Sequence, residues 1–269
     1  MKGIGDMSRI PMIDAARDAI SRIESTQQDA IGKAAIMMAR SILSGGMVHI
    51  FGSGHSHMMA EEAFPRYGGY VGFNPLMDPR LMWFDVLGSG GVRELLWLER
   101  EEGYIANFLQ GQNLRPQDVM LVYSHGGLNA APIEAAMYAR ELGLKVVAVT
   151  SRTNYETANA THSSGSKLGD LADVLIDNCI PPEDALVEIP GLGYKVGPGS
   201  TIAGIVIMQV LVTEVARELV SQGFEFKAFV SPNVTSVPKQ HNQSVFEDFA
   251  IAHRTRTEHP VWTEGKECK

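Results

Sequence analysis

Apolar positions along the chain follow two rhythms. From Ser8 to Leu43 they recur at helical spacing (Ile13, Ala16, Ile20, Ile23, then Ile31, Ala35, Met38, Ile42) and stop at "SGG", Ser44 to Gly46, which predicts one long helix or two in series. "MVHIFGS" is then a short, continuously apolar run ending in glycine, and the segment His57–Tyr67 after it is compatible with a helix. The same strand, turn, helix pattern recurs in "DVMLVYSHGG" with Ala130–Leu142, and less completely in "LKVVAVTS" and "ADVLIDN"; a further strand is predicted over Tyr70–Phe73. Apolar strands separated by helices indicate a parallel sheet covered on both faces. The expectation is an α/β fold with five strands in doubly wound order, its ligand beyond their carboxyl ends near the topological switch point.

Between the second and third strands, "FDVLGSGGVRELLWLEREEGYIANFLQ" reads as helical after Gly91. "PPEDALVEIPGLGYKVGPGS" is rich in proline and glycine and leads into a helix over Thr201–Val220; beyond Gly223 the chain is polar and irregular, with a short helix near Ser244–Arg254. No second core is predicted. The expected organisation is an N-terminal helical arm over 1–46, a ligand-binding domain over 47–223, and a tail over 224–269 that packs on the domain or on a neighbouring subunit.

Charge narrows the ligand. With 31 acidic against 23 basic residues, a net charge of −8 and no basic run, neither nucleic acid nor an anionic membrane surface is an expected partner. An anionic ligand must then be held by local dipoles. The longest apolar run, Ile202–Val212, contains Gln209 and is too short to span a bilayer, and the first twenty residues lack the apolar stretch of a secretory signal. Cys179 and Cys268 show no pairing logic, so neither a disulfide framework nor a thiolate metal site is expected, and a reducing cytoplasm fits.

The stretch "HIFGSGHSHMMAEEAF", His49 to Phe64, concentrates the candidate chemistry. As a dinucleotide fingerprint it has Gly52 and Gly54, but His57 stands at the third glycine position and no acidic residue is placed to grip a ribose. As a metal site it offers His55, His57 and Glu61, the last two at i, i+4, without a third firmly placed ligand. No metal or cofactor is therefore expected. As a phosphate cradle it asks less: a strand ending in glycine, with Ser53 and Ser56 around Gly54, sets amides and hydroxyls at a helix N-terminus. "VYSHGGLNAAP" repeats the arrangement with Ser124, Gly126, Gly127 and a helix opening near Asn129. Two such units can converge on one anion.

These loops resemble those of the SIS (sugar isomerase) domain family, whose members bind phosphosugars. Its first loop, G-x-G-x-S, is matched by Gly52, Gly54 and Ser56 with His55 between; its second, S-x-S-G-x-[ST], by Ser124, His125, Gly126, Gly127, Leu128 and Asn129, with Gly126 and Asn129 replacing two hydroxyl residues. A third segment, in "VGPGST", contributes Ser200 and Thr201. The resemblance covers about Met47 to Gly223, and it implies a three-layer α/β/α sandwich of flavodoxin-like type. The tail "SPNVTSVPKQHN", with "GSGHSH…EE", resembles SIS proteins labelled phosphosugar isomerases.

Aldose–ketose isomerisation through an enediol, the activity this resemblance implies, needs a base beside the carbonyl and a group that polarises the oxygens. In the phosphoheptose isomerases that the loops resemble, the glutamate position falls here on Arg66, and the last core helix holds no histidine. The acid–base pair is not carried over. Glu61, Glu62 and His241 are the candidate catalytic residues, with His55, His57 and His125 beside the loops. Two alternatives stand beside an isomerase: a non-catalytic phosphosugar sensor, and a lyase resembling the N-acetylmuramic acid 6-phosphate etherases, with Glu102–Gly103 as its glutamate–glycine pair. SIS families commonly complete a site from a neighbouring subunit, which is what makes His241 a candidate; the long amphipathic N-terminal helix and a tail that could reach a neighbour lead to the expectation of a homodimer or homotetramer.

Overall fold

The computed structural model describes residues 10–63, 65–82 and 88–257. Ser8, Phe64, Cys268 and residues 84–87 of the inserted segment lie outside them. Five parallel strands form the sheet: β1 (Val48–Gly52), β2 (Phe73–Leu76), β3 (Val119–Tyr123), β4 (Lys145–Thr150) and β5 (Val174–Asp177), in the order β2-β1-β3-β4-β5. Every residue of β1 and β3 is buried, as expected of central strands with helices on both faces. The connections leave in opposite directions on the two sides of β1 and β3, so the switch point lies between them.

The N-terminal segment is two helices, α1 (Pro11–Thr26) and α2 (Gln28–Leu43). Pro11 opens α1, where its missing N–H costs nothing. Gln27 breaks the series: its buried amide turns inward and accepts from the backbone N–H of Asp177 at 2.9 Å, fastening the break to the end of β5. Helix α2 packs against α8 (Ser200–Ser221), whose inward stripe is Ala203, Ile207, Leu211 and Val215. On the other face Phe51, Met120, Val122, Val146 and Ala148 meet α6 (Ala130–Glu141) and α5 (Tyr104–Leu109).

Four local expectations are corrected. The helix over His57–Tyr67 is a 3₁₀ turn at His55–His57 followed by one α turn, α3 (Met58–Glu61); Pro65 and the glycines at 68 and 69 follow it, residues that do not continue a helix. The second strand lies three residues later than Tyr70, and it tolerates Pro75 because it is an edge strand. Helix α4 (Gly88–Leu98) starts ahead of Gly91. The glycine-rich stretch after β5 contains an antiparallel hairpin of β6 (Ala185–Val187) and β7 (Val196–Pro198).

The chain separates into two compact units, one of residues 1–64 with 72–225 and one of residues 65–71 with 226–269. In the smaller unit Tyr70 bridges Ala228 antiparallel, Gly68 and Gly69 exchange backbone bonds with Phe229, and Tyr67 stacks on Phe229. Its helix α9 (His241–Thr257) is longer than the one expected over Ser244–Arg254. Among the described residues no helix is long and apolar enough to cross a membrane.

Candidate functional site

The two glycine loops leave the carboxyl ends of β1 and β3, on either side of the switch point. In the first, Gly52 is obligatory because a Cβ would drive into the carbonyl of Ser56. Gly54 adopts φ 58° and ψ −134°, a conformation essentially reserved for glycine, and its N–H bonds the carbonyl of Leu81 at 2.8 Å. This kink sends the chain into the 3₁₀ turn. His55 is exposed, whereas His57 is buried, its Nδ1 donating to the carbonyl of Gly54 and its Nε2 lying 3.7 Å from Glu61 Oε1.

In the second loop Gly127 has φ +64°, and a Cβ there would come within 2.8 Å of Thr150 Oγ1. Ser124 Oγ accepts from the Gly127 amide at 3.1 Å, and Asn154 Nδ2 holds the Gly126 carbonyl at 2.6 Å. A Cβ on Gly126 would meet only that amide at 3.6 Å, so nothing steric forbids the hydroxyl residue that the loop pattern leads one to expect there. The His125 ring is held from both sides: Asn178 Nδ2 donates to Nδ1 at 3.1 Å, and Nε2 faces the carbonyl of Pro182 at 3.4 Å. Asn178 Oδ1 accepts from the Ile180 amide, which fixes that side chain's orientation and leaves the imidazole proton on Nε2.

Ser56, Ser124, His125 and Ser200 line one space, so three separate segments meet there. Ser200 gives both its amide and its hydroxyl to Asp184, at 2.7 and 2.8 Å, and Thr201 is half-buried in the first turn of α8. The two neighbouring glutamates are not equivalent. Glu61 is exposed, whereas Glu62 is half-buried and receives Gln209 Nε2 from α8, at 3.1 Å to its carbonyl and 3.2 Å to Oε2. His241 belongs to the smaller unit, where its Nε2 donates to the carbonyl of Ala228 at 2.7 Å while Asn242 brackets the backbone of Val230.

Glu99, which no motif singled out, ties the two loops together. It follows α4, is 7% exposed and accepts from the Ser53 hydroxyl at 2.9 Å, with the Asn129 side chain nearby lowering its pKa. The Asn129 side chain does not cap α6, and the Ala131 amide bonds the Glu99 carbonyl at 3.0 Å, which joins Glu99 to the helix after the second loop. Burial pushes the Glu99 carboxyl above the usual carboxylate range, against the opposing effects of Ser53, Arg100 and Asn129. The folded state therefore binds this proton more tightly than the unfolded chain. Its contribution to stability is complete below about pH 4 and is lost as pH rises through the raised value. Glu99→Gln is expected to flatten that loss above about pH 4 in urea unfolding series; curves that stay parallel to wild type would contradict it.

Glu102 and Gly103, the pair in the etherase resemblance, are bonded to other segments. The Glu102 carboxylate accepts from the amide of Ser163 at 2.7 Å and from its hydroxyl, bonds that hold its pKa below the ordinary value. Gly103, at φ +83°, donates to Glu134 Oε1 at 2.5 Å. Among the described residues no cluster of three His, Cys, Asp or Glu could hold a metal ion.

Comparisons with known proteins give the family. The SIS domain model matches residues 12–151, which includes α1, α2 and both loops. A UPF0309 protein of Halalkalibacterium halodurans is 34% identical over 86% of this chain and 93% of its own length. Another UPF0309 protein, from Brucella anthropi, is 39% identical over 77% of this chain and 83% of its own. A solved structure from Listeria monocytogenes, provisionally assigned as a sugar-phosphate isomerase, covers 90% of this chain and 93% of its own with a TM-score of 0.50; at 14% identity the likeness is one of fold. The chain belongs to the SIS domain family, among the UPF0309 proteins.

Proposed function

We propose that this protein binds a phosphorylated sugar at the switch point and interconverts its aldose and ketose forms through an enediol. The observation that carries the reading is the convergence of two glycine-kinked strand-turn-helix units on one space lined by Ser56, Ser124 and His125. Exposed amides and hydroxyls at helix N-termini stabilise an anion without any basic side chain, which suits a chain of net charge −8. In this reading Gly52 to Ser56 and Ser124 to Asn129 hold the phosphate. Glu99 orients the loops by bonding the Ser53 hydroxyl and the Ala131 amide.

Glu62 is the better base of the adjacent pair. Its carboxylate is anchored by Gln209 on the last core helix, and a fixed carboxylate can take the proton from the carbon beside the carbonyl and return it to the neighbouring carbon. The proton that leaves one carbon returns to the other, so the step needs no oxidant. His125, with its proton on Nε2, is the candidate to polarise the substrate oxygens. Incubation with hexose, heptose and amino-sugar phosphates in deuterated water tests the reading. Deuterium is expected at the carbon beside the carbonyl with at least one of them, and none with any would overturn isomerisation.

One observation favours the sensor reading instead. Gln209, not an acid or a base, is what α8 presents to Glu62, and an amide transfers no proton. A sensor would be stabilised against heat by a sugar phosphate that it never turns over. The etherase-like reading loses support, because Glu102 is committed to Ser163.

A further inference from the structure

The space bounded by Ser56, Ser124, His125 and Ser200 measures about 10 Å³, room for one water-sized sphere and too little for a phosphoryl group. The turn after β5 bonds two of the residues that line it, His125 and Ser200. Pro182 offers its carbonyl to His125 Nε2, and two residues later Asp184 lays its carboxylate across the N-terminus of α8. Oδ1 accepts from the amides of Gly199 at 3.0 Å and Ser200 at 2.7 Å, while Oδ2 accepts from the Ser200 hydroxyl at 2.8 Å.

The backbone at Asp184 has φ +61°, a left-handed conformation that costs energy for any residue with a Cβ and is borne best by Asp and Asn. The strain is balanced by what the carboxylate gains at the positive end of a 22-residue helix. Amides plus a hydroxyl at a helix N-terminus are also what a phosphate oxygen would seek. Two anions cannot share these donors.

We infer that Asp184 is an internal competitor for the ligand's anionic group. On binding, the phosphate takes over Ser200, Asp184 leaves the end of α8, and the turn over Pro181 to Asp184 moves off His125 to open the space. This rests on the phosphosugar reading and goes beyond it: the empty protein holds its own cradle shut, and affinity is lowered by the fraction of molecules that are closed. The turn is suited to such movement. Two backbone bonds hold it, Asp184 N–H to the Pro181 carbonyl at 2.9 Å and Gly199 N–H to the Asp184 carbonyl at 3.0 Å, and the second must break when Asp184 leaves; the turn leads into a two-stranded hairpin whose tip exposes Ile189, Leu192 and Tyr194.

The test uses the full chain, with inorganic phosphate and glucose 6-phosphate as probes. Asp184→Asn keeps the left-handed turn accessible and removes the charge; calorimetry should show it binding both probes about tenfold more tightly than wild type. In wild type, hydrogen exchange should show the backbone of residues 182 to 187 opening about fivefold faster at saturation, while the Gly199 and Ser200 amides stay protected. Wild type that binds, paired with a variant that binds no more tightly, overturns the competitor and leaves the phosphosugar reading intact. If neither protein binds either probe, both fall. Should the variant fail to fold, the exchange in wild type decides, and unchanged exchange over 182 to 187 rejects the inference.

Discussion

Glu62→Gln is expected to lower the rate of deuterium exchange into a sugar phosphate by about a thousandfold, while its affinity for the same compound stays near that of wild type. Glutamine keeps the volume of the side chain and can still bond Gln209, so the neighbourhood of α8 is preserved. What it loses is the capacity to accept a proton. Glu61→Gln is the matched control, one residue earlier on the same turn, exposed and facing His57 at 3.7 Å. Its rate should remain within a small factor of wild type. The reverse ranking, with Glu61 essential and Glu62 dispensable, would remove Gln209 from the account and reassign the base to the His57 side of the turn.

The sequence could make either glutamate a candidate but could not rank them. Their difference lies in one long-range contact, because Gln209 stands 147 positions away on a helix whose pattern records only that it is buried. Glu99 was harder to see. "LEREEGY" holds three glutamates within four residues, and nothing in their spacing separates the buried one from its neighbours; only its bonds to Ser53 and to the Ala131 amide do. Gly52, Gly54 and Gly127 were legible for the opposite reason. Their requirement is local, a backbone conformation or a close approach that no side chain can share, and such constraints are written into the residue itself.

The same division runs through the fold. β1, β3 and β4 announce themselves as apolar runs, and the run in β1 ends in glycine, because central parallel strands are buried on both faces. β2 carries Asn74 and Pro75, which an edge strand accepts and a sequence pattern discounts, so the aromatic at Tyr70 drew the expected strand too early. Residues 57–67 have helical composition, but the turn that Gly54 imposes at one end and Pro65 at the other leave room for little more than one turn. The local bonds of the tail motif "QHN", His241 on Ala228 and Asn242 on Val230, have no signature in the sequence.

The largest stability effect is expected at the opposite end of the strands. Asp118 is buried just ahead of β3 and accepts three bonds: from the Met47 amide at 2.9 Å, the Arg115 amide at 2.7 Å and His49 Nε2 at 3.0 Å. His49 in turn meets Asn74 Nδ2 at 3.0 Å, so one polar chain crosses β2, β1 and the start of β3. Asp118→Ala strips a buried partner from three donors at once, and removing one member of a buried network of this kind costs about 3–5 kcal/mol. In a domain of this size that is a fall in melting temperature of about 10 °C. Asp118→Asn retains one carbonyl oxygen and should lose roughly half as much. Because these residues lie at the amino ends of the strands and the loops at the carboxyl ends, affinity for a sugar phosphate should be unchanged in whatever fraction stays folded. A loss below about 1 kcal/mol would mean that water or a shifted backbone satisfies the three donors, and that the chain from Asn74 to Asp118 does not hold the sheet in register.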